Sequence, residues 1–275
     1  MNAKYDKDLP IGVFDSGVGG LTVLKAIRSE LPAENLVYLG DTARLPYGTK
    51  SPASIERYAI QAAEKLAEQG IKMLVVACNT ASAVALAALR ADLDPLPVIG
   101  VVEPGAAAAV HARPGGSHLV LATEATVRLA AYSNAIESRD EQATVREQAC
   151  EMLVSLAEEG WTDGDIATRI IRRYLDEANE GGFEANSIIL GCTHFPLLKE
   201  AIREVVGETV AIVDSASTTA HAVRETLQSG GQMRTARETG DQRFLATDGA
   251  TRFARVGGQF LGHALTFRDV ELVDL

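Results

Sequence analysis

Short apolar runs recur along the chain, and longer amphipathic stretches fill the gaps between them. The runs are IGVF (Ile11 to Phe14), LVYLG (Leu36 to Gly40), KMLVVA (Lys72 to Ala77), PVIGVV (Pro97 to Val102), SHLVLA (Ser117 to Ala122), SIILG (Ser187 to Gly191) and TVAIVD (Thr209 to Asp214). Most are apolar at nearly every position, as in strands covered on both faces within a parallel sheet. The intervening stretches carry helix punctuation. SPASIERYAIQAAEKLAEQG opens on Ser-Pro, has an early Glu and ends on Gly70, the order expected of a capped helix. The alternation predicts an α/β architecture of mainly parallel sheets flanked by helices.

One similarity spans the two halves. VVACNTAS ends at Ser82 and IILGCTHFP ends at Pro196, and each runs from apolar residues through a small one to Cys and then to hydrogen-bonding side chains. Cys78 leads Asn79 and Thr80, and Cys192 leads Thr193 and His194, 192 − 78 = 114 residues on. This predicts two similar lobes. Ligands of parallel sheets bind beyond the C-terminal strand ends, where helix N-termini point their N–H groups, so both cysteines are expected at one cleft between the lobes. The expected division is residues 1–100 with 211–275 for the lobe carrying Cys78, and 101–210 for the lobe carrying Cys192. Each cysteine is read as opening a helix, a position that favours the thiolate.

Composition narrows the classes. Hydrophobic residues make up 47% of the 275, an ordinary globular share, and the formal charge is 26 − 37 = −11. A nucleic-acid partner needs a dense Lys/Arg surface, so none is expected. The opening MNAKYDKDLP lacks the apolar core of a secretory signal. The most apolar window, ASAVALAALRADL, is broken by Arg90 and reads as a buried helix, not a membrane span. Three cysteines without a CxxC pair imply free thiols in a reducing, cytoplasmic setting.

Several thiol chemistries fail on these residues. A phosphatase loop requires Arg six positions after Cys, where Val84 and Leu198 stand. A cysteine protease leaves the second matched cysteine without a role. A metal site from Cys78, Cys192 and His194 lacks zinc-ligand spacing. DSGVGG, with glycines at 17, 19 and 20, fits neither GxGxxG nor a P-loop and reads as a tight strand-to-helix turn. Inverting a carbon centre, in contrast, needs one group to remove a proton on one face and another to deliver one on the opposite face. A thiolate and a thiol can exchange those roles. The pair points to an isomerase or racemase.

The ordered segments FDSGVGGLTVL, YLGDTARLPYGTKS, ACNTASA, GVVEPGAAAA, ILGCTHFPLL, VDSAS and FLATDGATRFARVGGQFLG resemble those of the glutamate racemases, from about Ile11 to Gly262. The resemblance implies cofactor-independent interconversion of L- and D-glutamate, with no metal, supplying D-glutamate for peptidoglycan. Cys78 would take the α-proton of D-glutamate and Cys192 that of L-glutamate, with Asp15 and His194 assisting. Glu158 would partner His194, with Glu159 the other candidate. Substrate contacts carry over to Asp15, Ser16, Tyr47, Gly48, Asn79, Thr80, Thr123, Thr126, Thr193 and His194. The resemblance also implies a homodimer. Some members respond to a peptidoglycan precursor at an extended N-terminal region, and the ten residues before the first strand argue against that response here. Two departures stand out: CEMLVSLAE (Cys150 to Glu158) has Glu151 and Ser155 where many relatives carry Pro, and Ala122 and Ala125 replace Gly. Cys150 and Trp161 read as packing residues, and His111, His118 and His221 as structural or surface ones. The alternatives are an aspartate or hydantoin racemase of similar plan, and a two-lobed amino-acid-binding protein without turnover.

Overall fold

The computed structural model describes residues 6–275; Met1 to Tyr5 of the opening segment lie outside the described residues. The first half runs β1 (Ile11–Asp15), α1 (Leu21–Glu30), β2 (Leu36–Gly40), α2 (Pro52–Glu68), β3 (Met73–Val76), α3 (Asn79–Asp92) and β4 (Val98–Gly100). There follow α4 (Val102–Ala112), β5 (Ser117–Ala122), α5 (Glu124–Arg128), α6 (Ala131–Glu137), β6 (Thr144–Ala149), α7 (Glu151–Glu159) and α8 (Gly164–Ala178). The chain ends with β7 (Ser187–Gly191), α9 (Lys199–Val206), β8 (Ala211–Asp214), α10 (Ser215–Ser229), β9 (Gln242–Ala246), α11 (Ala250–Leu261) and β10 (Val270–Leu272).

Local chemistry accounts for these elements. In α2, Ser51 caps the first turn by accepting from the Ser54 N–H at 3.4 Å, and Pro52 sits where no N–H is required. Ile55, Ala59, Ala62, Ala63 and Leu66 form its buried stripe, and Gly70 ends the segment at φ +71°. α3 buries one face through Ala81, Ala85, Leu86 and Leu89 while Arg90 is exposed, so the expected buried helix is amphipathic. The run expected as strand through Val102 pairs only over Val98–Gly100, because α4 begins at Val102.

Among the described residues, ten strands form two all-parallel sheets, in the orders β10-β9-β2-β1-β3-β4 and β6-β5-β7-β8. The run β2-β1-β3-β4 has the same order as β6-β5-β7-β8, so the sequence similarity around the cysteines reflects a repeated topology. The first sheet adds β9 and β10 at one edge. Each sheet is covered on both faces: β1 sends Ile11 and Val13 into one core and Phe14 into another, and β5 divides Leu119 and Leu121 from Val120 and Ala122.

The lobes interleave. Val102, Ala106 and Ala109 of α4 pack in the core of the second sheet, whereas Ala216, Ala220, Val223 and Leu227 of α10 pack against the first. The expected return at residue 211 is corrected by four residues: β8 (Ala211–Asp214) pairs with β7, and the chain re-enters the first lobe with α10. β6, β9 and β10 were not anticipated. The exposed or half-buried TVREQA of β6 and the outward-facing Glu271 and Leu272 of β10 belong to edge strands, which need no continuous apolar run.

Candidate active site

In a sheet of order 2-1-3-4, connections leave in opposite directions from its first and third strands, and the crevice between those strand ends receives ligands. Asp15 ends β1, and Cys78 follows β3 by two residues; in the second lobe Thr123 follows β5 and Cys192 follows β7. The two crevices therefore present one cysteine each. They meet directly: the Thr22 hydroxyl of α1 reaches the Thr193 carbonyl at 2.9 Å, and the Thr193 hydroxyl reaches Asp15 Oδ1 at 3.4 Å. Thr80 bonds Thr123 at 3.0 Å and Thr126 at 3.3 Å, and these two bond each other at 3.2 Å. Gly48, in a short 3₁₀ turn over Tyr47–Thr49, faces Thr123 so closely that a Cβ there would lie 3.2 Å from the threonine.

The surroundings of the two thiols differ. Cys78 is the N-cap of α3: its sulfur accepts from the Ala81 N–H at 3.4 Å and bonds the Ser16 hydroxyl at 3.5 Å. The helix start nevertheless does not lower its pKa. Burial, joined by the charge of Asp15, pushes the thiol up to about 12 against the pull of the Ser16 and Ala81 bonds. The charge of Cys192 acts in the same upward direction. Cys192 opens no α-helix but a 3₁₀ turn over Phe195–Leu198, and its sulfur lies 3.7 Å from His194 Nδ1. Burial alone would strip His194 of its proton, but the bonds to Cys192 and Glu158 outweigh it and raise the imidazole to about 10. An imidazolium is thus the natural counter-ion for a thiolate at Cys192.

Glu158, not the exposed Glu159, is the partner of His194, at 3.2 Å from Nε2. Its other oxygen accepts from Arg252 of α11 at 2.6 Å, so a chain of charges crosses from one lobe to the other. The His194 bond is the main force holding the Glu158 carboxyl below its ordinary range. Asp15 is fully buried, which raises its pKa despite the His194 charge and N–H bonds from Gly20 and Gly17. Tyr47 turns its hydroxyl onto Asp41 at 2.5 Å, leaving its backbone and Gly48 to face the cleft.

The structure brings together Asp15, Ser16, Tyr47, Gly48, Cys78, Asn79, Thr80, Thr123, Thr126, Glu158, Cys192, Thr193 and His194, all anticipated from sequence. The sequence reading assigned no role to Tyr132, whose hydroxyl donates to Asn79 Oδ1 at 2.7 Å, to Tyr38, which bonds the Gly17 carbonyl at 2.9 Å, or to Arg252, although Tyr38 and Arg252 stand inside resembling segments. Cys150 is buried in the second lobe's core, as expected of a packing residue. His118 is buried against Ser187 at 2.7 Å, while His111 and His221 are exposed. Trp161 corrects the packing reading: it is 54% exposed. Glu151, in place of a relative's Pro, accepts from the Glu124 N–H at 2.6 Å and so caps α5. Among the described residues, no cluster of three His, Cys, Asp or Glu side chains has metal-binding proximity.

With both cysteines at most 6% exposed, the cleft is closed. A separate groove of about 530 Å³ between α1, α10 and α11 opens behind Phe260, whose ring edge meets His194 at 5.2 Å between centroids.

The Asp/Glu/Hydantoin racemase family profile matches residues 11–223. Glutamate racemase of Geobacter metallireducens is 49% identical over 255 residues, 93% of each chain. The crystal structure of Francisella tularensis glutamate racemase in complex with D-glutamate superposes with a TM-score of 0.89 at 34% identity, covering 98% of both chains. The Thermus thermophilus glutamate racemase structure, in complex with beta-chloro-D-alanine, gives a TM-score of 0.87 at 41% identity over 98% of both chains. Two thiols at equivalent strand ends, one fold and this span of identity agree: the chain belongs to the Asp/Glu/hydantoin racemase family, among relatives that are glutamate racemases.

Proposed function

We propose that this protein interconverts L- and D-glutamate by moving a proton between Cys78 and Cys192, without a cofactor, and so supplies D-glutamate for peptidoglycan. The observation that carries this reading is the placement of one cysteine at the ligand crevice of each lobe, turned into a shared cleft. In the D-to-L direction the Cys78 thiolate takes the proton from Cα. The C–H electron pair moves into the adjacent carboxylate as an enediolate, and the Cys192 thiol delivers its proton to the opposite face. The thiolate then resides on Cys192, beside His194, and the reverse reaction restores the first state.

The burial that raises Cys78 sets a requirement: a positive charge must arrive before its proton leaves. Among the described residues no cation bonds that sulfur, and the α-ammonium group of the substrate supplies the charge. Asp15, itself lifted by burial, can hold or pass a proton beside Cys78. The threonine hydroxyls, Ser16, Asn79 and the N–H groups of the Tyr47–Gly48 turn suit carboxylates without a lysine or arginine. Because both thiols are buried, the lobes must part to admit substrate.

Circular dichroism followed with L-glutamate and then L-aspartate tests the reading. Loss of optical activity with glutamate at a far higher kcat/KM supports it. Preference for aspartate transfers the assignment to an aspartate racemase, and binding without signal decay assigns a non-catalytic binding protein. A homodimer and a cytoplasmic location complete the proposal. The family supports the first, and the described helices, none long and apolar enough to cross a membrane, agree with the second. Light scattering should give twice the 29.2 kDa protomer mass, and a monomer mass at assay concentration removes the dimer.

A further inference from the structure

Asn79 begins α3 directly after Cys78, and only 3% of it is exposed. The two ends of its amide are treated unequally. Oδ1 accepts the Tyr132 hydroxyl at 2.7 Å, whereas Nδ2 has no partner among the described residues. A buried N–H left unmade costs about 1–3 kcal/mol, and native interiors keep few. An unpartnered donor one residue from a reactive thiol is therefore a group that awaits an acceptor.

Tyr132 belongs to the opposite lobe. It lies on α6, fully buried, with its ring so close to Gly105 and Gly191 that a Cβ at either would come within 3.2 Å of it. Burial, with the charges of Glu147 and Cys192 behind it, pushes the phenol far above the ordinary tyrosine range, so it keeps its proton. A phenol proton facing this amide satisfies itself only on the carbonyl end. An amide is planar, so fixing Oδ1 toward Tyr132 turns Nδ2 away from it. The reversed amide would leave the phenol O–H without an acceptor and would present a carbonyl oxygen to an anionic ligand.

We propose that Tyr132 is a positioning residue that sets the Asn79 amide so that Nδ2 donates to a carboxylate of the bound amino acid. This rests on the racemase reading above and adds a cross-lobe residue to its substrate recognition. The bond joins α6 of one lobe to α3 of the other, so the amide is set only when the lobes are together. Asn79 itself remains to donate as charge builds on the carboxylate, so losing Tyr132 weakens the preset hold on the bound substrate, read in KM, more than it lowers kcat.

The test is steady-state kinetics with L- and D-glutamate on the full chain, with wild-type turnover established first; its absence defeats the racemase reading and not the role of Tyr132. Tyr132→Phe should raise KM about tenfold, the scale of one lost orienting hydrogen bond, with kcat within about threefold of wild type. In an Asn79→Ala background the same substitution should change KM less than about twofold, because the residue it acts through is gone. Wild-type KM in Tyr132→Phe overturns the proposal, and so does an equal KM rise in the Asn79→Ala background. Should Tyr132→Phe not accumulate as folded protein, Asn79→Asp tests the other end: it keeps an acceptor for the phenol and removes the donor. A KM rise with an unchanged melting temperature supports the assignment, and a wild-type KM in that variant overturns it.

Discussion

Cys78 and Cys192 share a place in the fold but not an environment, and their substitutions should differ accordingly. Cys78→Ser should lose α-proton abstraction from D-glutamate far more than from L-glutamate, and Cys192→Ser the reverse. The loss in the affected direction should be about 10²- to 10⁴-fold, the usual scale of general acid–base catalysis. A serine hydroxyl is a poor base but still donates a proton. Isotope effects with α-deuterated substrate in each direction read this out, and identical behaviour of both variants in both directions would dismantle the assignment of faces. His194 gives a pH signature. It titrates near 6.5 unfolded and at about 10 folded, so its charge stabilises fully below pH 6.5 and that contribution fades as pH rises through 10. Glu158→Gln replaces the charged acceptor of one of the bonds that raise it with a neutral amide. The loss in urea midpoint relative to wild type should therefore be largest near pH 6 and shrink by pH 10; a gap independent of pH refutes the coupling. The sequence revealed Cys78, Cys192, Asp15 and His194 because each sits in a motif. The roles of Tyr132 and of Arg252, the latter inside a resembling segment, were hidden because they exist only when two lobes meet, and no local pattern encodes that meeting.

At the scale of elements, the DSGVGG turn shows how close the lobes are. A Cβ at Gly19 would collide with the Thr193 hydroxyl and the His194 ring, whereas one at Gly17 would meet only Leu45, at an ordinary 3.6 Å. Gly19→Ala should therefore lower kcat/KM about ten- to a hundredfold, the scale of about 1–3 kcal/mol of overpacking, while Gly17→Ala stays within a few-fold of wild type. Equal effects at the two positions would show that the turn, not the lobe contact, is what matters. Strands with two covered faces were legible as apolar runs. Polar β6 was not, since Arg146, Glu147 and Gln148 lie on a half-buried edge that pairs with β5. The helix after Cys78 was legible from its small and apolar residues, but the sequence could not show that burial would outweigh the helix start at that sulfur.

For the whole molecule, the repeated 2-1-3-4 order was legible as two matching cysteine segments, and the crossing points only roughly, because β8 and α10 adjoin in sequence while packing in different lobes. The proposed chemistry also predicts behaviour of the intact protein: racemisation should survive dialysis against a chelator, and the protein should lack visible pyridoxal phosphate absorbance. Activity lost on dialysis and regained with metal or that cofactor would reject the two-thiol mechanism. The interleaving has a further consequence on the ribosome. All four strands of the second sheet have been synthesised once residue 214 is made, but β2 stays an open edge until β9, at residues 242–246, can pair with it. A nascent chain therefore carries both cysteines, Glu158 and a completed small sheet while its large sheet still offers an unpaired, apolar edge. The span matched by the family profile, ending at residue 223, stops inside that interval, and a chain cut there should aggregate through β2 although nearly every residue of the site is present.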